Sequence, residues 1–335
     1  MKEKKKINLS VLNEEEIVNN LSRIPRAFFD KFEYRLFTDD HLKENYRKEL
    51  RSFFSNSRNF TVSVVENGLL KGYLLVDFME YDSQIFEFNV YRIRNFVFLG
   101  KDDEENELII STLLLELDKK IKLMNIKYIT LSLNANNSLS NLFFNTLLKK
   151  GFYYIHTLLS FKMNKAEFGG LRLAKPKKSG IIIRHAEKKD SDSLIDIAGK
   201  SYKINRFHMD RNLANDKCDL QYAKSAENSI LNGFADVIFV AEYNNNVVGY
   251  YSGKKSVNNQ LNVSVGNAIV SAVSEKARGL GVFSLLNNNL LEWFNKNSDI
   301  SEMGTYITNI PVHKTWTNNG LNIVRGSYQL AKYIR

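Results

Sequence analysis

Apolar and polar positions alternate along this chain with two different periods. Period two, the mark of a strand with one buried face, runs through 60–66 and resumes through 69–78, with Asn67-Gly68 between them as a hairpin turn. A helical period follows over 104–124, where Leu108, Leu115 and Ile121 stand among charges, then a strand over 127–133 and a helix over 139–150. Gly151-Phe152 opens a final strand pair. Ahead of these, Asn13-Glu14-Glu15-Glu16 has the chemistry of a helix start, and 40–54 is amphipathic at helical spacing.

The same order returns in the second half. Strands are expected at 181–184, 237–242, 247–253, 262–273 and 304–308, helices at 190–198, 220–231, 282–294 and 312–317, and a closing strand at 327–333 after Gly320-Leu321. Asn244-Asn245-Asn246 joins two of the strands. Between the halves, Gly169-Gly170 and Lys175-Pro176-Lys177-Lys178-Ser179-Gly180 interrupt the periodicity. The pattern implies an α/β chain of the α+β mixed-sheet kind: a helical extension at 1–57, a first domain at 58–168 and a second at 178–335.

Composition narrows the class. Of 335 residues, 44% are hydrophobic and 25% charged, enough apolar content for a packed core. Cys218 is the single cysteine, which excludes a disulfide scaffold and a Cys-rich metal site. It lies among charges with no histidine nearby, a poor setting for a covalent nucleophile. His41, His156 and His185 lack metal-ligand spacing, so no metal is expected. No apolar run reaches the roughly 20 residues that a membrane helix needs. The basic start at 2–6 is followed by no apolar signal core, so a cytoplasmic protein is expected. The net charge of +10 favours anionic ligands, but no nucleic-acid motif accompanies it. Neither nucleic acid nor membrane is expected as a partner; a homodimer stays open.

The most informative stretch is Ser271-Ala272-Val273 followed by Arg278-Gly279-Leu280-Gly281-Val282-Phe283. Here a strand ends and an amphipathic helix begins. Glycines at such a junction serve either a tight turn alone or the close approach of backbone N–H groups to phosphate oxygens. A third glycine is missing, so this is not a dinucleotide fingerprint, and a Walker A loop is absent as well. Some thirty residues on come Gly304-Thr305-Tyr306-Ile307-Thr308 and Asn309, Val312, His313, Trp316, Gly320 and Leu321.

Together these residues resemble the GNAT acyltransferase superfamily. Val273, Arg278 and Gly281 match its first motif, with Phe283 where a small residue is usual. Asn309, Val312, Gly320 and Leu321 match its second, with Trp316 in the position of a tyrosine. A finer likeness, to the TDP-fucosamine acetyltransferase group, rests on Tyr81-Asp82-Ser83-Gln84-Ile85-Phe86, on Gly151-Phe152-Tyr153, on Asn205-Arg206-Phe207-His208 and on Tyr222-Ala223-Lys224-Ser225-Ala226-Glu227-Asn228. The resemblance implies tandem GNAT-like domains, the first half degenerate and the second complete. It also implies acetyl transfer from acetyl-CoA, as co-substrate, to the amine of a small-molecule acceptor, an amino-sugar or its nucleotide-linked form. A peptide or protein amine, or a catalytically silent CoA-binding or interaction module, are the alternatives.

On that resemblance the strand ending Ser271-Ala272-Val273 pairs its backbone with pantetheine, and the amides of Arg278, Gly279, Leu280, Gly281, Val282 and Phe283 hold the pyrophosphate. Asn309 and Trp316 lie along the CoA arm. An indole cannot release its proton near neutral pH, so Tyr306 and His313 become the candidates to protonate the leaving thiolate. His208 and Glu227 are candidates for the base, and Arg206 for an acceptor phosphate or carboxylate. In the first half the equivalent turn reads Gly100-Lys101-Asp102-Asp103-Glu104-Glu105-Asn106-Glu107; its carboxylates complement the dipole of the helix they open, and they would also repel a pyrophosphate.

Overall fold

The computed structural model describes residues 7–10, 12–28, 37–135, 138–202 and 205–335; the basic run at 2–6 lies outside them. Contacts divide the chain into two compact units. Unit 1 is Met1–Ile155 with Ser327–Arg335, and unit 2 is His156–Gly326.

Unit 1 holds β1 (Ile7–Ser10), α1 (Glu14–Asn19), α2 (Asp39–Phe54), β2 (Phe60–Glu66), β3 (Leu69–Phe78), α3 (Glu80–Phe86), β4 (Val90–Phe98), α4 (Asp103–Leu123), β5 (Tyr128–Asn134) and α5 (Ser138–Lys149). β6 (Tyr153–Asn164) leads into unit 2, which holds β7 (Ile181–His185), α6 (Ser191–Ser201), α7 (Asn215–Leu231), β8 (Val237–Tyr243), β9 (Asn246–Asn258), β10 (Val263–Val273), α8 (Val282–Asn297), β11 (Ile300–Tyr306) and α9 (Ile310–Asn319). β12 (Asn322–Tyr333) ends the chain.

The strands of unit 1 lie in the order β1-β2-β3-β4-β5-β12, and those of unit 2 in the order β7-β8-β9-β10-β11-β6. Within each unit the ladders between described residues are antiparallel except β4–β5 and β10–β11. The two orders are the same once β12 and β6 are exchanged. Each half of the sequence thus gives its last strand to the other half's sheet, which is why the compact units differ from the halves expected at 58–168 and 178–335.

Residues 7–10, 12–28 and 37–54 are not an appendage. β1 pairs with β2, Leu12 N–H donates to Thr61 Oγ1 at 3.1 Å, and the Tyr46 hydroxyl of α2 lies 2.8 Å from that of Tyr73 on β3. In element order β1-α1-α2 matches β7-α6-α7, so these residues complete the first unit. The helices were readable because their caps are local: Asn13 and Glu16 form a capping box, and Thr38 accepts from His41 N–H. A four-residue edge strand carries no comparable signal.

Each unit packs helices on both faces of its sheet. In α4 the buried face is Ile109, Ile110, Leu113, Leu114, Leu117 and Ile121, against Val62, Leu74, Ile93 and Leu131. Leu108 and Leu115, two of the three positions that mark the helix in the sequence, are 53% and 54% exposed. The α8 and α9 side of unit 2 buries Phe161, Leu286, Leu290, Phe294, Met303 and Trp316, and the α6 and α7 side buries Leu194, Ala198, Val240 and Tyr250. Among the described residues no helix is long and apolar enough to cross a membrane.

The exchange of strands has a direct test. Leu330 on β12 is fully buried in the core of unit 1 although it belongs to the second half of the sequence. Leu330→Ala is expected to cost about 2–5 kcal/mol in urea unfolding. Limited proteolysis of the variant should open 60–135 before 237–306; preferential cleavage in 237–306 would contradict the exchanged topology.

Candidate functional site

The parallel ladder between β10 and β11 is short, pairing 265–267 with 300–302. Beyond it β10 continues to Val273 with β9 on one side only. A β-bulge between Ala268 and Ser271 shifts the register there. Ser274 N–H donates to Val248 O, so alternation turns the amide groups of Ala272 toward β9 and those of Ser271 and Val273 toward the open side. Of Ser271, Ala272 and Val273, the strand end expected to meet pantetheine, Ser271 and Val273 turn their backbone to the open side and Ala272 turns its toward β9. Both open-side carbonyls have partners from the end of α6. Tyr202 Oη donates to Ser271 O, and Ser201 Oγ to Val273 O at 3.3 Å.

The turn after β10 leads from a short 3-10 segment (Glu275–Ala277) to Gly279 and Gly281, at φ +82° and +85°. Both dihedrals lie in the left-handed region that glycine enters without strain. Gly281 is the N-cap of α8 and has no side chain to cap it, and the first turn contains no acidic residue. The leading N–H groups of a 16-residue helix therefore emerge without a side-chain acceptor, under the positive end of its dipole. Arg278 does not extend over this turn; its Nη2 donates to Ser201 O at 3.1 Å. Leu280 and Phe283 pack at the edge of the core, Phe283 with its ring 5.6 Å from Tyr251, and Val282 is buried. The phenyl ring is thus turned toward the core.

The second motif is more deeply built in than its pattern implies. Trp316 is 2% exposed, packs edge-on to Phe161, and donates its indole N–H to Asn287 Oδ1 at 3.0 Å. Asn287 Nδ2 in turn donates to Asn319 Oδ1. Trp316 is therefore a core residue with its single donor spent. Asn309 starts α9 but makes no side-chain cap; its Nδ2 donates to Thr305 Oγ1 at 2.9 Å. His313 Nε2 lies 3.0 Å from Tyr306 O and its ring packs on Phe161. The Tyr306 hydroxyl is held protonated by burial, partly offset by the Arg206 guanidinium and by the Arg206 backbone N–H bonded to it. His156, which drew no role from the sequence, is buried with its ring 4.9 Å from that of Tyr306 and its Nε2 2.9 Å from Thr308 Oγ1. Burial lowers its pKa.

The loop between α6 and α7 brings Arg206 to the Tyr306 hydroxyl. His208 is clamped: Asn205 Nδ2 lies 2.7 Å from Nδ1, and Asp219 Oδ1 lies 2.8 Å from Nε2. The geometry assigns Nδ1 as acceptor and Nε2–H as donor, which leaves the ring no free lone pair in this state. Tyr222 stacks on Tyr202 at 3.9 Å and lies within electrostatic reach of Tyr306 and Arg206. The Tyr250 hydroxyl, on the same side of the sheet, is buried with no partner. Glu227 is elsewhere in its bonding, paired with Lys224 on its own helix at 2.6 Å. Cys218 is buried, and burial pushes its thiol up to about 12, far from a thiolate at neutral pH. Among the described residues no cluster of His, Cys, Asp or Glu is arranged to hold a metal.

The counterpart in unit 1 is closed by its own side chains. Asp102 caps α4 by accepting from Glu105 N–H at 2.8 Å, Glu105 accepts from Lys101 N–H, and Asn106 Oδ1 accepts from Gly100 N–H at 2.9 Å. A Cβ on Gly100 would stand 2.7 Å from Asn106 Oδ1. The acids of this turn thus accept N–H groups of the kind that the start of α8 leaves without a side-chain cap.

No family model and no curated protein matches the chain. Solved structures do. A tandem GNAT protein from the clavulanic acid biosynthesis pathway aligns at TM-score 0.57 and 11% identity over 98% of both chains. A GCN5-related N-acetyltransferase from Sphaerobacter thermophilus aligns at TM-score 0.58 and 11% identity, over 98% of this chain and 96% of that one. A GCN5-related glucosamine N-acetyltransferase region in a fungal multi-domain β-N-acetylglucosaminidase aligns at TM-score 0.64 and 10% identity, over 98% of this chain and 38% of that one. The chain has the tandem GNAT fold.

Two measurements check the site's internal bonding. Trp316→Phe removes the donor to buried Asn287 Oδ1 and should cost about 1–3 kcal/mol in chemical denaturation; an unchanged midpoint would place the indole elsewhere. His156 has a folded pKa below its unfolded value, so on acidification the unfolded chain takes up a proton that the folded chain refuses. Its contribution to stability is complete above about pH 6.5 and falls as pH drops below that value. His156→Gln should flatten the stability profile between pH 7 and 5.

Proposed function

We propose that unit 2 is an acetyl-CoA-dependent N-acetyltransferase for small amines, with an amino-sugar as the acceptor class and unit 1 as the degenerate, non-binding half. The observation that carries this reading is the contrast at the two strand–helix junctions. The start of α8 has two left-handed glycines and no side-chain cap, whereas the start of α4 is filled by Asp102, Glu105 and Asn106. Pantetheine pairs along the open side of Ser271 and Val273, and the amides from Gly279 to Phe283 receive the pyrophosphate.

The chemistry then falls to the α6–α7 side. The acceptor nitrogen bonds to the thioester carbonyl carbon, the C–S bond breaks, and the sulfur leaves with the proton of the Tyr306 hydroxyl. Once the Asn205 amide moves off His208 Nδ1, the amine's proton passes to that nitrogen. Asp219 on the other nitrogen steadies the imidazolium that forms. Arg206 meets a phosphate or carboxylate of the acceptor, and stacked Tyr202 and Tyr222 offer a face to a sugar ring. The amino-sugar class draws support from the sequence pattern shared with TDP-fucosamine acetyltransferases and from the glucosamine acceptor named for one structural neighbour.

A second reading, a silent CoA-binding or interaction module, is favoured by one observation. The position that carries a tyrosine in the family pattern is held by Trp316, buried and already bonded to Asn287.

Free-thiol release from acetyl-CoA with a panel of amino-sugars and peptides separates these readings. Turnover with an amino-sugar is expected; binding without turnover would favour the silent module. Gly281→Glu, which puts a charged side chain at φ +85° against Lys177, is expected to abolish acetyl-CoA binding in calorimetry. Unchanged affinity would count against the site. Tyr202→Phe releases the Ser271 carbonyl for pantetheine and should tighten acetyl-CoA binding several-fold; weaker binding would assign the Tyr202 hydroxyl to holding the ligand.

A further inference from the structure

The basic segment between the halves returns to the open end of α8. Arg172 and Asn319 exchange hydrogen bonds, from Arg172 N–H to Asn319 O at 3.3 Å and from Asn319 Nδ2 to Arg172 O. Ala174 is then held by both of its backbone groups: Asn288 Oδ1 accepts its N–H at 3.0 Å, and Asn288 Nδ2 donates to its carbonyl at 2.8 Å. Asn288 is on α8 and nearly buried, so the clamp fixes the segment along that helix. Three residues later the methylene stem of Lys177 lies against Gly281, within 3.3 Å of where a Cβ there would stand. Lys175, Lys177 and Lys178 are exposed, and none of them forms an ion pair or side-chain hydrogen bond with a described residue.

We propose that this segment is a working part of the cofactor site. Lys177, flanked by Lys175 and Lys178, meets the phosphates of CoA, and the chain thereby selects the complete nucleotide cofactor over an uncharged pantetheine thioester. The inference rests on the reading that unit 2 binds acetyl-CoA. Its physical basis is separate from the glycine turn: the turn contributes backbone dipoles, whereas the segment contributes full charges held in place by the Asn288 clamp. Phosphate contacts made by exposed lysines are screened by salt, while main-chain contacts and pantetheine pairing are much less so.

The test is calorimetry of the full chain with acetyl-CoA and with acetyl-pantetheine, at low and high salt. In the variant with Lys175, Lys177 and Lys178 all replaced by Ala, affinity for acetyl-CoA should fall tenfold or more and lose most of its salt dependence, while affinity for acetyl-pantetheine stays as in the wild type. Lys177→Arg should retain wild-type binding. Because the three side chains are exposed, thermal unfolding of the variants should match the wild type. Equal acetyl-CoA affinity and equal salt dependence in the triple variant would overturn the proposal while leaving the glycine-turn site standing. A wild-type chain that binds no acetyl-CoA would overturn both.

Discussion

When two neighbouring strands part inside a folded unit, the amide groups along the gap must find other partners, because an unmet buried N–H or C=O costs as much as a lost hydrogen bond. β10 and β11 part after residues 267 and 302, and the bulge at Ala268–Ser271 turns Ser271 and Val273 toward the gap. Much else in unit 2 answers that constraint. Tyr202 and Ser201 reach from the end of α6 to the two carbonyls, Arg278 ties Ser201 back to the turn, and Tyr222 stacks behind Tyr202. On the proposed function, these contacts are the ones that a bound pantetheine would replace.

The two units meet the same demand differently. They share strand order, one parallel pair in an otherwise antiparallel sheet, and an early end to that pair. They differ at the start of the following helix. In unit 1 carboxylates and an amide fold back on the backbone; in unit 2 glycines leave it bare. A few side chains thus separate a capped helix start from an uncapped one, without any change of fold. The exchange of β6 and β12 means that neither sheet is complete without a strand from the other half of the sequence.

What the sequence made legible is local. The Asn67-Gly68 turn has both residues at positive φ, Asn244 and Asn245 likewise, and Gly279 and Gly281, singled out at a strand–helix junction, lie in the left-handed region. Helix caps and alternating strands follow from neighbours a few residues apart. Long-range matters were not legible. Nothing in the composition of β6 or β12 names the strand it joins, and the exchange moved the domain limits. α3 is a single short helix with no side-chain cap, and α7 begins at Asn215, ahead of the apolar positions that marked it. The clamp on His208 depends on Asp219, one helix further on, and the burial of Trp316 depends on Asn287 in α8. A motif position shows which residue is there; only packing shows whether its polar atoms are still free.

Backbone hydrogen exchange with and without CoA tests the central claim most directly, because it reads both strand–helix junctions in one sample. The account predicts slowed exchange at Ser271, Val273 and 279–284, with no change at 100–106. Protection at 100–106, or none at 279–284, would contradict it.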